Sequence, residues 1–175
     1  MHSGELLTRG TVWVALTSYV ASEAFSAVQR DDEKVTISWG LKAAGCVFFL
    51  AHIAAVFNYF YSWHHAAAYA DTARQSKELT GWNSGDGLYL NYLLALVWVS
   101  EVIWPRITAV GYLSRSIWWT WTVRVFFLFM IFNGAFVFVR SNVRWFGLFL
   151  CLFLLLCWWL RLKRSIDGRP SPKSS

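Results

Sequence analysis

The chain has 175 residues, of which 57% are hydrophobic, 19% are aromatic and only 15% are charged. Soluble domains usually carry about 25% charged residues, and here the charges merely separate long apolar runs, so a soluble globular protein is excluded. The net charge of +6 comes from basic residues near the ends of those runs. This argues against nucleic-acid binding, which needs a clustered basic face.

The apolar runs are long enough for membrane-spanning helices, and the run 117–160 holds two of them around a polar break. Only helices or closed barrels satisfy the backbone within lipid, and runs without polar alternation favour helices. We predict a single all-α bundle of four to five transmembrane helices over 1–165, followed by a basic, disordered cytoplasmic tail at 166–175. The helices are expected at about 8–29, 39–80, 87–110, 116–140 and 143–163.

The first predicted helix is the least apolar of the five and contains Glu23 together with several serines. We expect this helix to span the membrane with Glu23 directed into the bundle, because a carboxylate there avoids lipid. The alternative is an amphipathic helix that lies in the membrane interface.

The second predicted helix begins after Ser38, a residue type suited to cap a helix N-terminus. Apart from Gly45, no helix breaker follows until Gly81, so the sequence predicts one long helix over 39–80. Such a helix extends about 60 Å, roughly twice the thickness of the bilayer core. Its polar part, from His64 onward, is expected to project beyond the membrane.

His52 lies near the middle of the apolar part of this helix, where an ionisable side chain is a functional candidate. Its imidazole is suited to bind haem b as an axial ligand or to contact a quinone, and His64 and His65 are further candidates. The alternative for His52 is a neutral imidazole hydrogen-bonded to a neighbouring helix. A bis-histidine haem site within one chain is not expected, because no other apolar run contains a histidine.

A metal site is predicted where the second helix leaves the apolar zone. His64, His65 and Asp71 come within reach of Asp86, which opens the next helix. Imidazole and carboxylate groups together can hold zinc, copper or iron. Adjacent histidines point about 100° apart on a helix, however, which weakens the prediction. The alternative is a solvated polar face that contacts another protein or a water-filled cavity.

The third and fourth predicted helices are antiparallel neighbours because a short loop joins them. Each carries one charge within its apolar run, and we predict that Glu101 and Arg124 form an ion pair, for which Glu23 could compete. A carboxylate that exchanges protons is the alternative. Asn133 and Gly134 form a small polar notch, which favours close helix packing or an interhelical hydrogen bond.

The distribution of basic residues predicts the orientation in the membrane. Ten Lys and Arg residues lie near the helix ends on the side of the tail, against five on the other side, and basic residues are retained on the cytoplasmic side. We therefore expect a cytoplasmic C-terminus, in a plasma or inner membrane. Tryptophans fall near the predicted helix ends on both sides, as membrane interfaces favour: Trp39, Trp104, Trp118, Trp119, Trp121, Trp158 and Trp159 on one, Trp63, Trp82 and Trp145 on the other.

Small size, an aromatic surface and a projecting polar helix indicate a non-catalytic subunit that scaffolds or anchors a larger membrane complex. Its partners are then the lipid bilayer and other membrane protein subunits, and we expect no catalytic activity of its own. The alternatives are a redox subunit that binds haem b or a quinone, and a proton- or ion-conducting protein that uses Glu23, His52, Glu101 and Arg124. A metal-dependent enzyme is a further alternative.

Overall fold

The computed structural model describes residues 3–28, 32–139 and 141–167, and these residues form helices and short connections without strands. The predicted all-helical bundle is confirmed. Of the predicted tail, 166 and 167 close the last helix and 168–175 lie outside the described residues. The elements are α1 (Ser3–Val28), α2 (Asp32–Phe60), α3 (His65–Thr80), α4 (Gly87–Ile107), α5 (Ala109–Leu113), α6 (Ile117–Phe132), a π-helical segment (Asn133–Val137) and α7 (Arg144–Asp167).

Four helical stretches in the described part of the chain are long and apolar enough to cross a membrane: Thr36–Phe60, Gly87–Ile107, Ile117–Val137 and Arg144–Arg164. The protein is therefore an integral membrane protein with a helical bundle. α1 does not reach the same hydropathy, but it runs antiparallel to α2 from one end of the bundle to the other. Gly4 lies against the ring of Tyr59 at one end, and the hydroxyls of Ser26 and Ser38 are 2.6 Å apart at the other.

Ser38 does not cap α2, which begins six residues earlier at Asp32. Its hydroxyl instead donates a hydrogen bond of 2.9 Å to the carbonyl of Ser22 and contacts Ser26. The predicted cap is thus a link between α1 and α2. By contrast, Ser116 does cap α6, because its hydroxyl accepts a hydrogen bond from the backbone N–H of Trp118.

Four aromatic side chains form the centre of the core, one each from α1, α2, α4 and α6. The rings of Tyr19 and Phe127 stack at 4.4 Å, and Trp98 meets both edge-on at 5.4 and 5.2 Å. Phe49 stacks on Trp98 at 5.4 Å. Trp98 is only 1% exposed, and its indole N–H donates to the carbonyl of Lys42. Offset and edge-to-face packing of this kind fixes how the four helices are rotated against one another.

The predicted helix 39–80 follows its expected path only as far as Phe60. Ser62 and Trp63 adopt left-handed backbone conformations, with φ of 45° and 61°, and the chain then turns into α3. α3 packs against the beginning of α4, where Ala68 is fully buried in a small cluster with Leu88. The polar helix beyond the apolar run therefore exists, but it is a separate element held against the bundle.

α7 approaches the π-helical segment closely at Gly147, where an added methyl group would collide with the backbone of Ala135. The predicted notch at Asn133 and Gly134 does not make this contact. The Asn133 amide donates to the carbonyl of Phe129 in its own helix, and a methyl group at Gly134 would meet no atom within 4 Å. The small residue that permits close packing is therefore Gly147 of α7, not Gly134.

The two ends of the bundle differ in their chemistry. We call one the charged end, since it contains Glu23, Lys42, Glu101 and Arg124, and the other the tyrosine end. The charged end is formed where α1, α4 and α7 finish and where α2 and α6 begin. The tyrosine end contains Tyr59, Tyr61, Tyr69, Tyr89 and Tyr92.

Candidate functional site at the charged end

Four ionisable side chains lie inside the bundle at the charged end, three of them within apolar spans and the fourth, Glu23, in α1. Lys42, Arg124 and Glu101 are each about 9 to 11 Å from the nearest end of their span, at 1.5 Å per residue. Glu101 and Glu23 are only 5% exposed. Ionised groups at such depth are unfavourable unless they are paired, and they mark functional or helix-organising positions in membrane proteins.

Glu23 of α1 is bound by three other helices. One carboxylate oxygen is 3.2 Å from Nζ of Lys42 in α2, and the other is 3.6 Å from Nε of Arg124 in α6. The second oxygen also accepts a hydrogen bond of 3.0 Å from the indole N–H of Trp158 in α7. The carboxylate is therefore shared by two cations and a neutral donor, which join α1, α2, α6 and α7.

Glu101 of α4 forms a second cluster at the charged end, separate from that of Glu23. Its carboxylate is paired with the guanidinium of Arg115 and accepts a hydrogen bond of 3.0 Å from the hydroxyl of Tyr112. The guanidinium of Arg115 also stacks over the ring of Tyr112 at 4.0 Å. Burial and the neighbouring Glu101 carboxylate raise the pKa of Tyr112, so its hydroxyl remains a donor. The short helix α5 makes this cluster, because it folds Tyr112 and Arg115 back towards α4.

The structure therefore pairs Glu101 with Arg115 rather than with Arg124, the partner expected from the sequence. Arg124 instead lies beside Glu23, the competitor that the sequence also indicated. Its guanidinium lies over the rings of Trp121 and Trp158, at 5.4 and 5.7 Å from their centroids. Trp158 is 3% exposed and thus belongs to the site, not to the interfacial belt in which it was expected.

A cavity of about 560 Å³ separates the two clusters and is lined by both. Its wall contains four basic side chains and two carboxylates, which leaves a formal excess of two positive charges. Arg161 of α7 is the fourth basic residue, and it is exposed at the cavity. Within the described part of the chain, Arg161 forms no close ion pair with a carboxylate, and it interacts with Glu23 only at longer range. A polar cavity with surplus positive charge is suited chemically to hold an anion.

Sequence reasoning missed five residues of this site: Lys42, Tyr112, Arg115, Trp158 and Arg161. Lys42 lies inside an apolar run, and this position is a usable signal in the sequence. Arg115 and Tyr112 gave no such signal, because their contacts depend on the path of α5.

His52 contacts α1, as the hydrogen-bonded alternative requires. Its Nδ1 lies 2.9 Å from the carbonyl oxygen of Thr8, and its ring is near that of Phe49. Since a carbonyl only accepts, Nδ1 carries a proton and donates it to Thr8. The other ring nitrogen, Nε2, makes no hydrogen bond with another described residue.

The four residues of the predicted metal site are not brought together. His64 contacts the carbonyl of Tyr61, and His65 packs among tyrosine rings. Asp71 and Asp86 are each held by separate donors: Tyr61, Arg74 and Gln75 for Asp71, and Tyr69 and Ser84 for Asp86. Among the described residues, no three His, Cys, Asp or Glu side chains lie close enough to share a metal ion.

Asp71 organises the tyrosine end through its hydrogen bonds. Partial burial raises the pKa of this carboxyl, but the hydrogen bonds from Tyr61, Arg74 and Gln75 outweigh it, so the pKa lies below its ordinary value. Burial, reinforced by the bond to Asp71, raises the pKa of Tyr61 to about 12. The bond between Tyr61 and Asp71 ties the end of α2 to α3 across the break.

No protein-family model, curated protein or solved structure matches this chain. The class of this protein is therefore defined by its fold and its site: it is a helical integral membrane protein with a buried charge network at one end.

Proposed function

We propose that this protein is a non-catalytic integral membrane subunit that scaffolds or anchors a larger membrane complex. The observation that carries the proposal is that the buried charges connect the helices to one another. Glu23 and Glu101 bind side chains from four other helices and from the connection after α5, so their charges hold the helices in one arrangement. Buried polar networks of this kind can fix a unique packing, which suits a rigid platform for other subunits.

The outward face of α4 supports binding of a partner within the membrane. A shallow apolar groove of about 300 Å³ runs along it, lined by Leu96, Val99, Ser100, Ile103, Trp104 and Ile107. The hydroxyl of Ser100 already donates to the carbonyl of Val97, so this small residue leaves room without an unpaired polar group. Small residues flanked by large apolar ones are typical of helix–helix contacts in membranes.

The charged end is proposed to face the cytoplasm of a plasma or inner membrane, because the chain's basic residues are concentrated there. α3 and the rest of the tyrosine end then lie on the opposite side. Reporter fusions test this orientation. A fluorescent protein joined to the C-terminus should fluoresce, whereas alkaline phosphatase joined there should be inactive, and the reverse result would contradict it.

Purification from the native membrane in mild detergent tests the subunit role. We expect a defined partner at fixed stoichiometry. Ser100→Phe fills the groove on α4 and should reduce recovery of the partner. Val47→Phe is the matched control, because Val47 is 65% exposed on α2 and lies outside the groove.

A monodisperse monomer with no partner in stoichiometric amount would contradict the proposal. Equal loss of the partner in both variants would contradict the assignment of the α4 groove alone.

A redox subunit with haem b or a quinone at His52 is the second candidate. The observation that favours it is the bond from Nδ1 to the Thr8 carbonyl, since histidine ligands commonly donate their other ring nitrogen to such a group. An absorption spectrum of protein from the native membrane tests it. A Soret band that is lost in His52→Ala would support haem, whereas a flat spectrum without extractable quinone would remove this candidate.

A further inference from the structure

We propose that the cavity at the charged end binds the phosphate group of an anionic molecule, held by Lys42, Arg124 and Arg161. This inference goes beyond the subunit role and does not depend on it. The shared chemistry is an anionic phosphate group, which either the phosphate ester of a lipid headgroup or dissolved inorganic phosphate can supply.

The charge balance of the cavity is the first argument. The pair of Arg115 and Glu101 is neutral, but Glu23 is shared by Lys42 and Arg124. Arg161 adds a further positive charge without a close ion pair of its own, so that four basic side chains face two carboxylates in the cavity. Surplus like charges around one partly enclosed space repel one another, and a bound anion removes that repulsion.

The donors of Arg124 are the second argument. Its Nε lies 3.6 Å from the Glu23 carboxylate, too far for a hydrogen bond, and the guanidinium makes no hydrogen bond with another described residue. The side chain is nevertheless only 12% exposed and lines the cavity. A guanidinium presents a planar fork of N–H donors that matches phosphate oxygens, while Lys42 offers a compact ammonium.

The surroundings of the cavity favour a lipid as the source of the phosphate. Phe25 and Ile117 line it and are 39% and 62% exposed, so its rim is apolar although its interior is charged. Trp118 and Trp159 are also exposed at this end, 80% and 56%. Exposed tryptophans mark the level of lipid headgroups. A headgroup can therefore enter the cavity while its acyl chains remain along the rim.

Native mass spectrometry of the full chain in detergent tests the proposal. The protein is titrated in separate arms with phosphatidylglycerol, with zwitterionic phosphatidylcholine and with inorganic phosphate. We expect one phosphatidylglycerol per chain and weaker retention of phosphatidylcholine. Arg161→Gln should weaken binding about tenfold, as loss of a charge-assisted contact does. Arg161 forms no close ion pair with a described carboxylate, so this variant is expected to fold.

Arg144→Gln is the matched control. Arg144 opens α7 at the tyrosine end, packs over Trp145 and lies outside the cavity, so its loss should leave binding unchanged. Binding of inorganic phosphate that depends on Arg161 and displaces the lipid would identify dissolved phosphate as the source. The proposal is overturned if neither anion binds, if phosphatidylcholine binds equally, or if Arg161→Gln behaves like Arg144→Gln.

Discussion

Trp158 donates a hydrogen bond of 3.0 Å to the Glu23 carboxylate across 135 positions of sequence. This contact joins the last helix to the first and is buried at the charged end. It places a neutral donor beside a carboxylate that already has two cationic neighbours. The indole thereby satisfies a lone pair without adding charge, and the same ring packs against Arg124.

Trp158→Phe should destabilise the protein by about 1.5 to 3 kcal/mol, because the variant keeps the aromatic packing but removes a hydrogen bond to a charged group. The measurement is the thermal unfolding of purified protein in detergent. Trp159→Phe is the control, since Trp159 is 56% exposed and should change stability little. Equal effects of the two substitutions would show that the indole N–H of Trp158 is unimportant.

Glu23→Gln should lower the free energy of unfolding by about 3 kcal/mol, because Lys42 and Arg124 then remain inside the bundle without their carboxylate. Glu5→Gln removes a carboxylate from the same helix, but it breaks only the exposed pair with Arg9, 2.7 Å long. That control should lose less than about 1 kcal/mol. Chemical unfolding of both variants in one detergent gives the comparison, and similar losses would argue against a stabilising role for the Glu23 cluster.

Gly147→Ala should destabilise the bundle by about 1 to 3 kcal/mol, because the added methyl group collides with the backbone of Ala135, which cannot move aside as a side chain can. Gly134→Ala places a methyl group in open space and should be neutral or slightly stabilising. Unfolding midpoints in detergent distinguish them. A harmless Gly147→Ala would mean that α7 and the π-helical segment are farther apart than described.

The stability contributed by Asp71 should depend on pH. Its pKa is lower in the folded protein than its ordinary value of 3.8, so folding favours the ionised carboxylate. The contribution is therefore fully present above pH 3.8 and is lost as the pH falls through the lowered pKa. The difference in unfolding midpoint between the wild type and Asp71→Asn should shrink over that acidic range. A difference that stays constant with pH would exclude this linkage.

The class of protein and the approximate positions of its helices could be predicted from the amino-acid sequence. Length and hydrophobicity of each run are local properties, and lipid leaves the backbone of such a run few alternatives to a helix. The start of α6 was also predictable, because Ser116 provides its cap within the same segment. The intramembrane charges Glu23, Glu101 and Arg124 were evident for the same reason.

The pairing of those charges and the position of the break in the second predicted helix depend on tertiary packing. Pairing depends on the rotation of each helix about its axis, which the aromatic core around Trp98 fixes, and on α5, which returns Arg115 to Glu101. The break at Ser62 and Trp63 has no glycine or proline to announce it. The break forms because packing of α3 on α4 offsets the unfavourable left-handed backbone. Packing between two helices is not visible in the sequence of either one.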